Sequence, residues 1–198
     1  MGQGDENQMD LRATEGDGES LRKEENSWVE TGQTKEEEWN TLHTDASFTS
    51  HNMLTGCGGV LRNSKGDWIS GFSCTSRTGH ATEGELWAIY ADLKWAWKAG
   101  LKKLLVLSDS KHAVEWLTIG PLPLGPCARI MELCKDWLRK DWEVKIDHIP
   151  RDSNVIADWL AKVATKRNCD WIEFHSPREI IRDILEIDKA KLVFMHDS

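Results

Sequence analysis

An uninterrupted apolar run, Leu104–Ser108, limits the possible folds of this chain more than any other feature of its sequence. The run lacks polar–apolar alternation, which is typical of a strand that is buried on both faces. Helical patterns lie on either side of it. Glu83–Ala99 carries apolar residues at helical spacing and stops at Gly100, and Lys111–Leu117 is a shorter helical segment. A strand between two helices indicates a sheet with helices packed on its faces.

Periodicity predicts the remaining elements of the same domain. They are strands over Thr41–Phe48, Cys57–Arg62, Trp68–Cys74 and Trp142–Ile149 and helices over Ala128–Arg139 and Val155–Lys166. A loop that contains Gly and Asn joins the second and third strands and suits a hairpin. We therefore predict an α/β domain with a five-stranded mixed sheet, three antiparallel strands followed by two parallel ones, flanked by helices.

Charge divides the chain into three parts. Residues 1–39 contain twelve acidic and four basic residues, which accounts for the whole net charge of -8. They have no hydrophobic period, so we predict a disordered acidic tail. Residues 40–167 form the predicted domain, and 168–198 a C-terminal appendage with a short helix over Pro177–Ile187. Because residues 40–165 hold fifteen basic and fourteen acidic residues, the domain itself remains compatible with nucleic acid.

The sequence also excludes several classes of protein. No apolar run is long enough to span a membrane, and the amino terminus lacks the pattern of a secretory signal. We expect an intracellular protein of the nucleus or cytoplasm. The five cysteines include no Cys-x-x-Cys pair, so neither a disulfide framework nor a zinc site is indicated. The sequence also has no phosphate-binding loop, dinucleotide fingerprint or serine-nucleophile motif.

Four acidic residues fall where chemistry collects in such a sheet. Asp45 lies within the first strand, and Asp109 directly follows the buried one. Glu85 lies at the start of the long helix, and Asp158 lies in the last helix, four residues after Asn154. Ligands bind outside the carboxyl ends of parallel strands, where these side chains can converge. Clustered carboxylates repel one another unless cations neutralise them, and ligands that are all oxygen favour Mg²⁺ or Mn²⁺ over zinc.

Each of the four also fits a structural role by itself. Asp109 or Ser110 can cap the following helix, and Thr82 and Glu85 have the spacing of a capping box. Asp45 fits an outward-facing strand position, although Asp is depleted in strands. Asp158 fits one half of a polar pair on a solvated helix face. Only the combination of all four favours a metal site, and two ions about 4 Å apart are a common arrangement for phosphodiester hydrolysis.

Five short motifs make the chain resemble a known family. They are Thr44-Asp45-Ala46-Ser47, Gly58-Gly59-Val60-Leu61-Arg62, Glu85-Leu86-Trp87-Ala88, Ser108-Asp109-Ser110 and Asn154-Val155-Ile156-Ala157-Asp158-Trp159-Leu160-Ala161. Their order and spacing over about residues 40–165 resemble type 1 ribonuclease H domains. The similarity is greatest to plant ribonuclease H-like domains related to non-LTR retrotransposon reverse transcriptases. Residues 176–188 resemble the appendage often found after that domain in plants.

The resemblance implies a ribonuclease H-like fold and an endonuclease that hydrolyses the RNA strand of RNA–DNA hybrids, leaving 5′-phosphate ends. It also implies that Asp45, Glu85, Asp109 and Asp158 are catalytic and bind two Mg²⁺ ions, which Mn²⁺ can replace. One ion activates the attacking water, and the other stabilises the leaving oxygen. The expected substrate contacts are the small and polar neighbours Ala46, Ser47, Thr82, Ser110, Arg151 and Asn154.

The chain departs from that family at three places. Ala46 stands where many relatives have Gly. Well-studied cellular members carry a mobile His before the last helix, whereas no His lies between His148 and Asn154, so we expect Arg151 to assist product release. Some members have a basic handle that grips the hybrid, whereas Leu117–Pro126 contains no Lys or Arg. We therefore expect a monomer that depends on a reverse transcriptase or another protein for affinity.

Tryptophan is unusually abundant, with eleven in the chain. Base-stacking platforms are one interpretation of such a number. Five of them, Trp87, Trp97, Trp116, Trp137 and Trp159, fall at apolar positions of the predicted helices, so we predict that most of them pack in the core.

Two other functions also fit the sequence. One is a catalytically silent, transposon-derived domain that binds nucleic acid or protein. The other is a different nuclease of the same superfold, such as a 3′–5′ exonuclease or a resolvase. The Gly58-Gly59-Val60 hairpin and the spacing of Asn154 and Asp158 favour ribonuclease H.

The lack of a basic handle predicts weak, salt-sensitive binding of an RNA–DNA hybrid, because phosphate contacts dominate such affinities. The measurement is a salt titration of hybrid binding to residues 40–198. Tight binding above physiological salt would contradict it.

Overall fold

A six-stranded mixed sheet organises the part of the chain that the computed structural model describes, residues 38–120, 123–179 and 181–186. Its strands are β1 (Asn40–Thr49), β2 (Leu54–Arg62), β3 (Trp68–Arg77), β4 (Lys103–Ser108), β5 (Glu143–His148) and β6 (Ile172–Phe174). Their order across the sheet is β5-β4-β1-β2-β3-β6. The pairs β1–β2, β2–β3 and β3–β6 are antiparallel, and β1–β4 and β4–β5 are parallel.

Helices cover both faces of this sheet. They are α1 (Ala81–Lys98), α2 (Lys111–Thr118), α3 (Pro126–Leu138) and α4 (Val155–Arg167), with a 3-10 turn over Arg151–Ser153. Residues 181–186 are also helical, within the range predicted for the appendage. None of the described helices is long and apolar enough to cross a membrane. Residues 1–37 of the predicted tail, residues 121–122, residue 180 and residues 187–198 lie outside the described residues.

The sheet has six strands, one more than the five predicted from the sequence. The sixth strand, β6, comes from the appendage and pairs with β3 through Gly71 and Phe174, among other partners. Its three residues are too few to show a period, so the sequence pattern missed it. Phe174, Ile181 and Leu185 then pack in a cluster with residues of β2 and α4. The boundary after residue 167 stays a prediction.

Two hydrophobic layers hold the helices on the sheet. On one face, α1 buries Leu86 and Leu93 in a cluster with Leu42 of β1 and with Leu104 and Val106 of β4. On the other face, α4 packs Ile156 and Leu160 against Val60, as part of a second cluster. The helix α1 ends as predicted, because Gly100 follows its C-cap with a positive φ of 77° that glycine adopts freely.

The adjacent glycines of β2 bring helices close on opposite faces. A Cβ atom on Gly58 would lie 2.4 Å from the backbone nitrogen of Ala161 and 2.5 Å from the carbonyl oxygen of Ala157, both in α4. A Cβ atom on Gly59 would lie 2.2 Å from Oδ1 of Asp92 in α1. Since Gly58 is the cross-strand partner of Asp45, α4 lies close to β2 beside that carboxylate.

The close approach of α4 predicts that Gly58→Ala destabilises the fold. The added methyl group meets helix backbone, so α4 must shift, and we expect a decrease of about 1–3 kcal/mol in the free energy of unfolding. Urea denaturation measures it. Gly71→Ala is the matched control, since its new methyl group first meets the half-buried Trp68 ring, a side chain that can move. Equal decreases in the two variants would contradict the account.

Candidate metal centre

Three carboxylates meet where the parallel strands end. Ligand oxygens of Asp45, Glu85 and Asp109 all lie within 4.8 Å of one another. Asp45 belongs to β1, and Asp109 directly follows β4. The parallel register of these strands pairs Thr44 with Ser108, so the two aspartates, each one residue further on, lie side by side. Asp45 is only 3% exposed, and the other two side chains are half-buried.

The start of α1 shows why Glu85 is available for this cluster. Its N-cap residue is His80, whose Nδ1 accepts the backbone N–H of Glu83 at 3.3 Å. The carboxylate of Glu83 in turn accepts the backbone N–H of Gly79 at 2.5 Å. The capping role therefore belongs to Glu83 and not to Glu85 with Thr82, the alternative that the sequence left open.

The carboxylate of Glu85 points instead to the sheet. It accepts the backbone N–H of Ala46, the residue after Asp45. Its second oxygen, Oε2, is buried and has no hydrogen-bond partner in the described part of the chain. A buried carboxylate oxygen without a donor is costly unless a cation binds it.

Asn154 joins three elements beneath the cluster. It is 1% exposed and precedes α4 as its N-cap residue. Its Nδ2 donates to the carbonyl oxygen of Thr44 in β1 at 2.8 Å and to Oδ1 of Asp109 at 3.2 Å. The N-cap residue of α2 is Ser110, and no side chain makes a capping hydrogen bond there, so the structure does not show the alternative capping role of Asp109 or Ser110. The carboxylate of Asp109 is oriented by Asn154 instead.

Asp158, the fourth predicted ligand, is not among the three clustered carboxylates. Its Oδ2 accepts a hydrogen bond from Nζ of Lys162 at 2.5 Å, one helical turn further along α4. The side chain is 23% exposed. Its charge still contributes to the raised pKa of Asp45, so it lies near the cluster. Lys162 is not among the residues predicted from the sequence. Its spacing of four residues from Asp158 is the sequence signal for this pair, because such residues are neighbours on a helix.

The other residues predicted to contact the substrate are close to the carboxylates in the sequence, and their exposure differs. The side chains of four of them are half-buried: Ala46, Ser47, Thr82 and Ser110. The side chain of Arg151 is 80% exposed, and its Nε lies 3.9 Å from Oδ2 of Asp109. Roles in substrate binding stay predictions for all of them.

Burial and mutual repulsion make the cluster hold protons. Burial raises the pKa of Asp45 to about 9, with further contributions from Glu85 and Asp109 and a smaller one from Asp158. Burial and the charge of Asp109 raise the pKa of Glu85 to about 8, against the opposing effect of the Arg151 guanidinium. A divalent cation would replace these protons and neutralise the repulsion. The donor set, which is all oxygen, fits Mg²⁺ or Mn²⁺.

Comparison with known proteins places this site in a family. The family described as reverse transcriptase-like matches residues 43–164, a range that begins before Asp45 and ends after Asp158. The chain belongs to this family, whose members have the ribonuclease H-like fold. The family and fold predicted from the five motifs are thus confirmed.

Relatives and solved structures agree with this assignment. A predicted ribonuclease H protein of Arabidopsis thaliana is 31% identical over 150 residues, which cover 76% of this chain and 24% of the relative. The chain thus spans about a quarter of that relative's length. Ribonuclease H1 of Halobacterium salinarum superposes with a TM-score of 0.62 at 22% identity, covering 65% of this chain and 98% of that protein.

Two further structures share the fold. The N-terminal ribonuclease H domain of a Mycobacterium tuberculosis protein has a TM-score of 0.60 at 19% identity and covers 66% of this chain and 95% of the other. A ribonuclease H1 solved in complex with an RNA/DNA hybrid has a TM-score of 0.60 at 18% identity and covers 65% and 98%. At these identities the likeness establishes the fold of this reverse transcriptase-like domain.

The raised pKa of Asp45 predicts how pH changes stability in the presence of a chelator. The folded state holds the proton and the unfolded state releases it, so the stabilisation is full below about pH 4 and disappears as pH rises towards 9. Asp45→Asn removes this dependence. We expect its melting temperature to exceed that of the unmodified chain by about 2–4 °C at alkaline pH, roughly 1 kcal/mol, and by less in acid.

The control for this prediction is Asp147→Asn, which changes an exposed carboxylate on β5. Added Mg²⁺ should raise the melting temperature of the unmodified chain and of the Asp147 variant, but not that of Asp45→Asn. A pH-independent difference between Asp45→Asn and the unmodified chain would count against the carboxylate repulsion.

Proposed function

We propose that this chain is a metal-dependent endonuclease that hydrolyses the RNA strand of RNA–DNA hybrids. The observation that carries the proposal is the convergence of Asp45, Glu85 and Asp109 within 4.8 Å on a ribonuclease H-like fold. The motifs around these residues and the match to the reverse transcriptase-like family support the same assignment. One solved structure with the same fold is a ribonuclease H1 in complex with an RNA/DNA hybrid.

The four acidic residues would bind two divalent ions. Asp45, Glu85 and Asp109 would hold one ion, and Asp45 with Asp158 would hold the second. When bound, Mg²⁺ or Mn²⁺ supplies an activated water and stabilises the charge that develops on the leaving oxygen. Asn154 keeps Asp109 and Thr44 of β1 in register through its two hydrogen bonds. This positioning function adds to the substrate contact that the resemblance implies.

Selection of the hybrid needs side chains that reach the RNA strand. The hydroxyl groups of Ser47, Thr82 and Ser110 are suited to the 2′-hydroxyl groups of RNA in the minor groove of a hybrid. The exposed guanidinium of Arg151 can form a bidentate pair with a phosphate while it remains next to Asp109. Such a contact suits the release of the cleaved 5′-phosphate product.

A catalytically silent binding domain is the second candidate. The Lys162–Asp158 pair favours it, because a lysine that neutralises the fourth carboxylate competes with a second metal ion. The fold and the three-carboxylate cluster would then serve binding alone.

Cleavage of labelled substrates tests the proposal. The full chain is incubated with an RNA–DNA hybrid, duplex DNA and duplex RNA, each with Mg²⁺ or with a chelator. We expect internal cuts in the RNA of the hybrid alone, with Mg²⁺ only. Asp109→Asn should lower the rate more than about 100-fold, because an ion ligand is worth several kcal/mol in the transition state. Asp147→Asn is the matched control and should cleave at the unmodified rate. If the unmodified chain cleaves none of the substrates, the catalytically silent domain is the remaining candidate.

Lys162 provides a second test, on the metal requirement. Lys162→Gln removes a positive charge that competes for Asp158, so the Mg²⁺ concentration for half-maximal cleavage should fall by about threefold or more. Lys162→Arg keeps the charge and should keep the requirement. Lys166→Gln, an exposed lysine one turn further along α4, controls for a general change in charge. An unchanged requirement in Lys162→Gln would show that Lys162 does not compete with the ion.

A further inference from the structure

A cavity of about 360 Å³ lies between α1 and the edge of the sheet formed by β3 and β6. Four aromatic residues line it, Trp87, Tyr90 and Trp95 of α1 and Trp171, which directly precedes β6. The volume falls within the range of pockets that bind small molecules. The carboxylates of the metal centre do not line it. The proposed hydrolysis therefore leaves this cavity without a role.

We propose that this cavity binds one nucleotide of a single-stranded nucleic-acid segment, with the base against the indole rings and a phosphate on Lys94 and Lys98. It would grip a single-stranded extension next to the hybrid. The proposal rests on the proposed function only for the identity of the neighbouring hybrid. Binding of the single strand itself requires no cleavage.

The aromatic walls are fixed before any ligand binds. Phe72 stacks on Trp171 with ring centroids 4.4 Å apart and an interplanar angle of 10°. The rings of Trp95 and Phe72 pack edge to face, with centroids 5.1 Å apart and an interplanar angle of 62°. The indole N–H groups of Trp95 and Trp171 both donate to Oε1 of Glu173 at 3.0 Å. Trp171 nevertheless remains 42% exposed, so this held ring stays accessible for stacking with a base at a small entropic cost.

The rim of the cavity carries an unbalanced positive charge. Lys94 and Lys98 are exposed, lie one helical turn apart on α1, and both line the cavity. No ion pair involves either of them in the part of the chain that the structure describes. Like charges at this spacing repel each other, and a phosphate bound between the two lysines would offset that repulsion by attracting both of them. Glu173 is the acidic residue of the lining, and it is engaged by the two indole groups.

The polar part of the lining suits the edge of a base. Ser76 of β3 contributes a hydroxyl group, which both donates and accepts hydrogen bonds, whereas the hydroxyl group of Thr75 donates to the carbonyl oxygen of Cys169 at 2.9 Å. An acidic peptide would also satisfy the two lysines. It would leave the stacked aromatic walls without a planar partner, so the composition of the cavity favours a nucleotide.

The position of the cavity relative to the metal centre fits a continuous strand. The cavity lies on the sheet face opposite to the side chain of Asp45, since its lining residue Cys57 pairs with Ala46, the next residue of β1. Lys94 and Lys98 lie nine and thirteen residues after Glu85 on α1, which at 1.5 Å per residue is about 14 and 20 Å along the helix. With a rise of about 3.4 Å per nucleotide, a strand that leaves the carboxylates and follows α1 reaches the two lysines after about four to six nucleotides. This grip would offset the missing basic residues of Leu117–Pro126.

The test measures binding of a fluorescent twelve-nucleotide single strand to the full chain in the presence of a chelator. Lys94→Gln with Lys98→Gln should weaken binding about tenfold and lower the slope of log affinity against log salt by about 0.7 for each phosphate that the variant no longer neutralises. Trp171→Ala should weaken it similarly, and Trp171→Phe should retain it, because a ring remains for stacking. The charge-matched control is Lys65→Gln with Lys166→Gln, two exposed lysines outside the cavity lining.

The outcomes separate this inference from the proposed function. Cleavage of a blunt hybrid should be unchanged in the Lys94 and Lys98 variant, and a single-stranded extension should tighten hybrid binding only in the unmodified chain and the controls. Cleavage of blunt hybrid without binding of the single strand would overturn the inference and leave the function standing. Binding of the single strand without cleavage of any substrate would overturn the proposed function and leave the inference standing. Equal weakening in the cavity and control variants, or preferred binding of a Glu-rich peptide, would also overturn the inference.

Discussion

The arrangement of the carboxylate cluster depends on the contact between α4 and the glycines of β2. Gly56 and Gly58 let the helix backbone approach the strand so closely that a Cβ on either would overlap it. Ser73 in β3 fastens the same helix by donating to the carbonyl oxygen of Leu160 at 2.7 Å. The first turn of α4 therefore arrives beside β1, where Asn154 reaches both Thr44 and Asp109. The orientation of the carboxylates thus follows from a packing constraint in a neighbouring strand.

The fold uses this rigidity to hold charges that repel one another. The raised pKa values of Asp45 and Glu85 show that their ionised forms are disfavoured while they remain close together without a cation. Packing of the hydrophobic layers maintains the cluster against that repulsion. Two cationic side chains at its margin, Arg151 beside Asp109 and Lys162 beside Asp158, reduce the repulsion, and they would compete with a metal ion for the same carboxylates. The concentration of metal needed for binding would then depend on these two residues as well as on the ligands.

Much of this arrangement could be predicted from the sequence, because it depends on patterns local to single elements. The apolar run of β4 and the period of α1 predicted the layers of the fold, and Asp109 after a buried strand predicted the location of the site. Contacts between distant segments could not be predicted. The three-residue strand β6 has no period, and Asp92 is fully buried in α1 against Gly59 without any signal in its own neighbourhood. The pairing of Asp158 with Lys162 also depends on which of its neighbours a side chain reaches in three dimensions.

Crystallography with bound Mn²⁺ tests directly whether Asp45, Glu85 and Asp109 form a divalent metal site. Crystals grown or soaked with Mn²⁺ and measured for anomalous scattering should show a peak among these three carboxylates, at about 2.1–2.2 Å from at least one oxygen of each. Asp109→Asn should weaken or abolish the peak without changing the backbone of β1, β4 or α4. An ordered structure in which Mn²⁺ binds elsewhere, or in which the three carboxylates stay protonated with no peak between them at saturating Mn²⁺, would contradict the account.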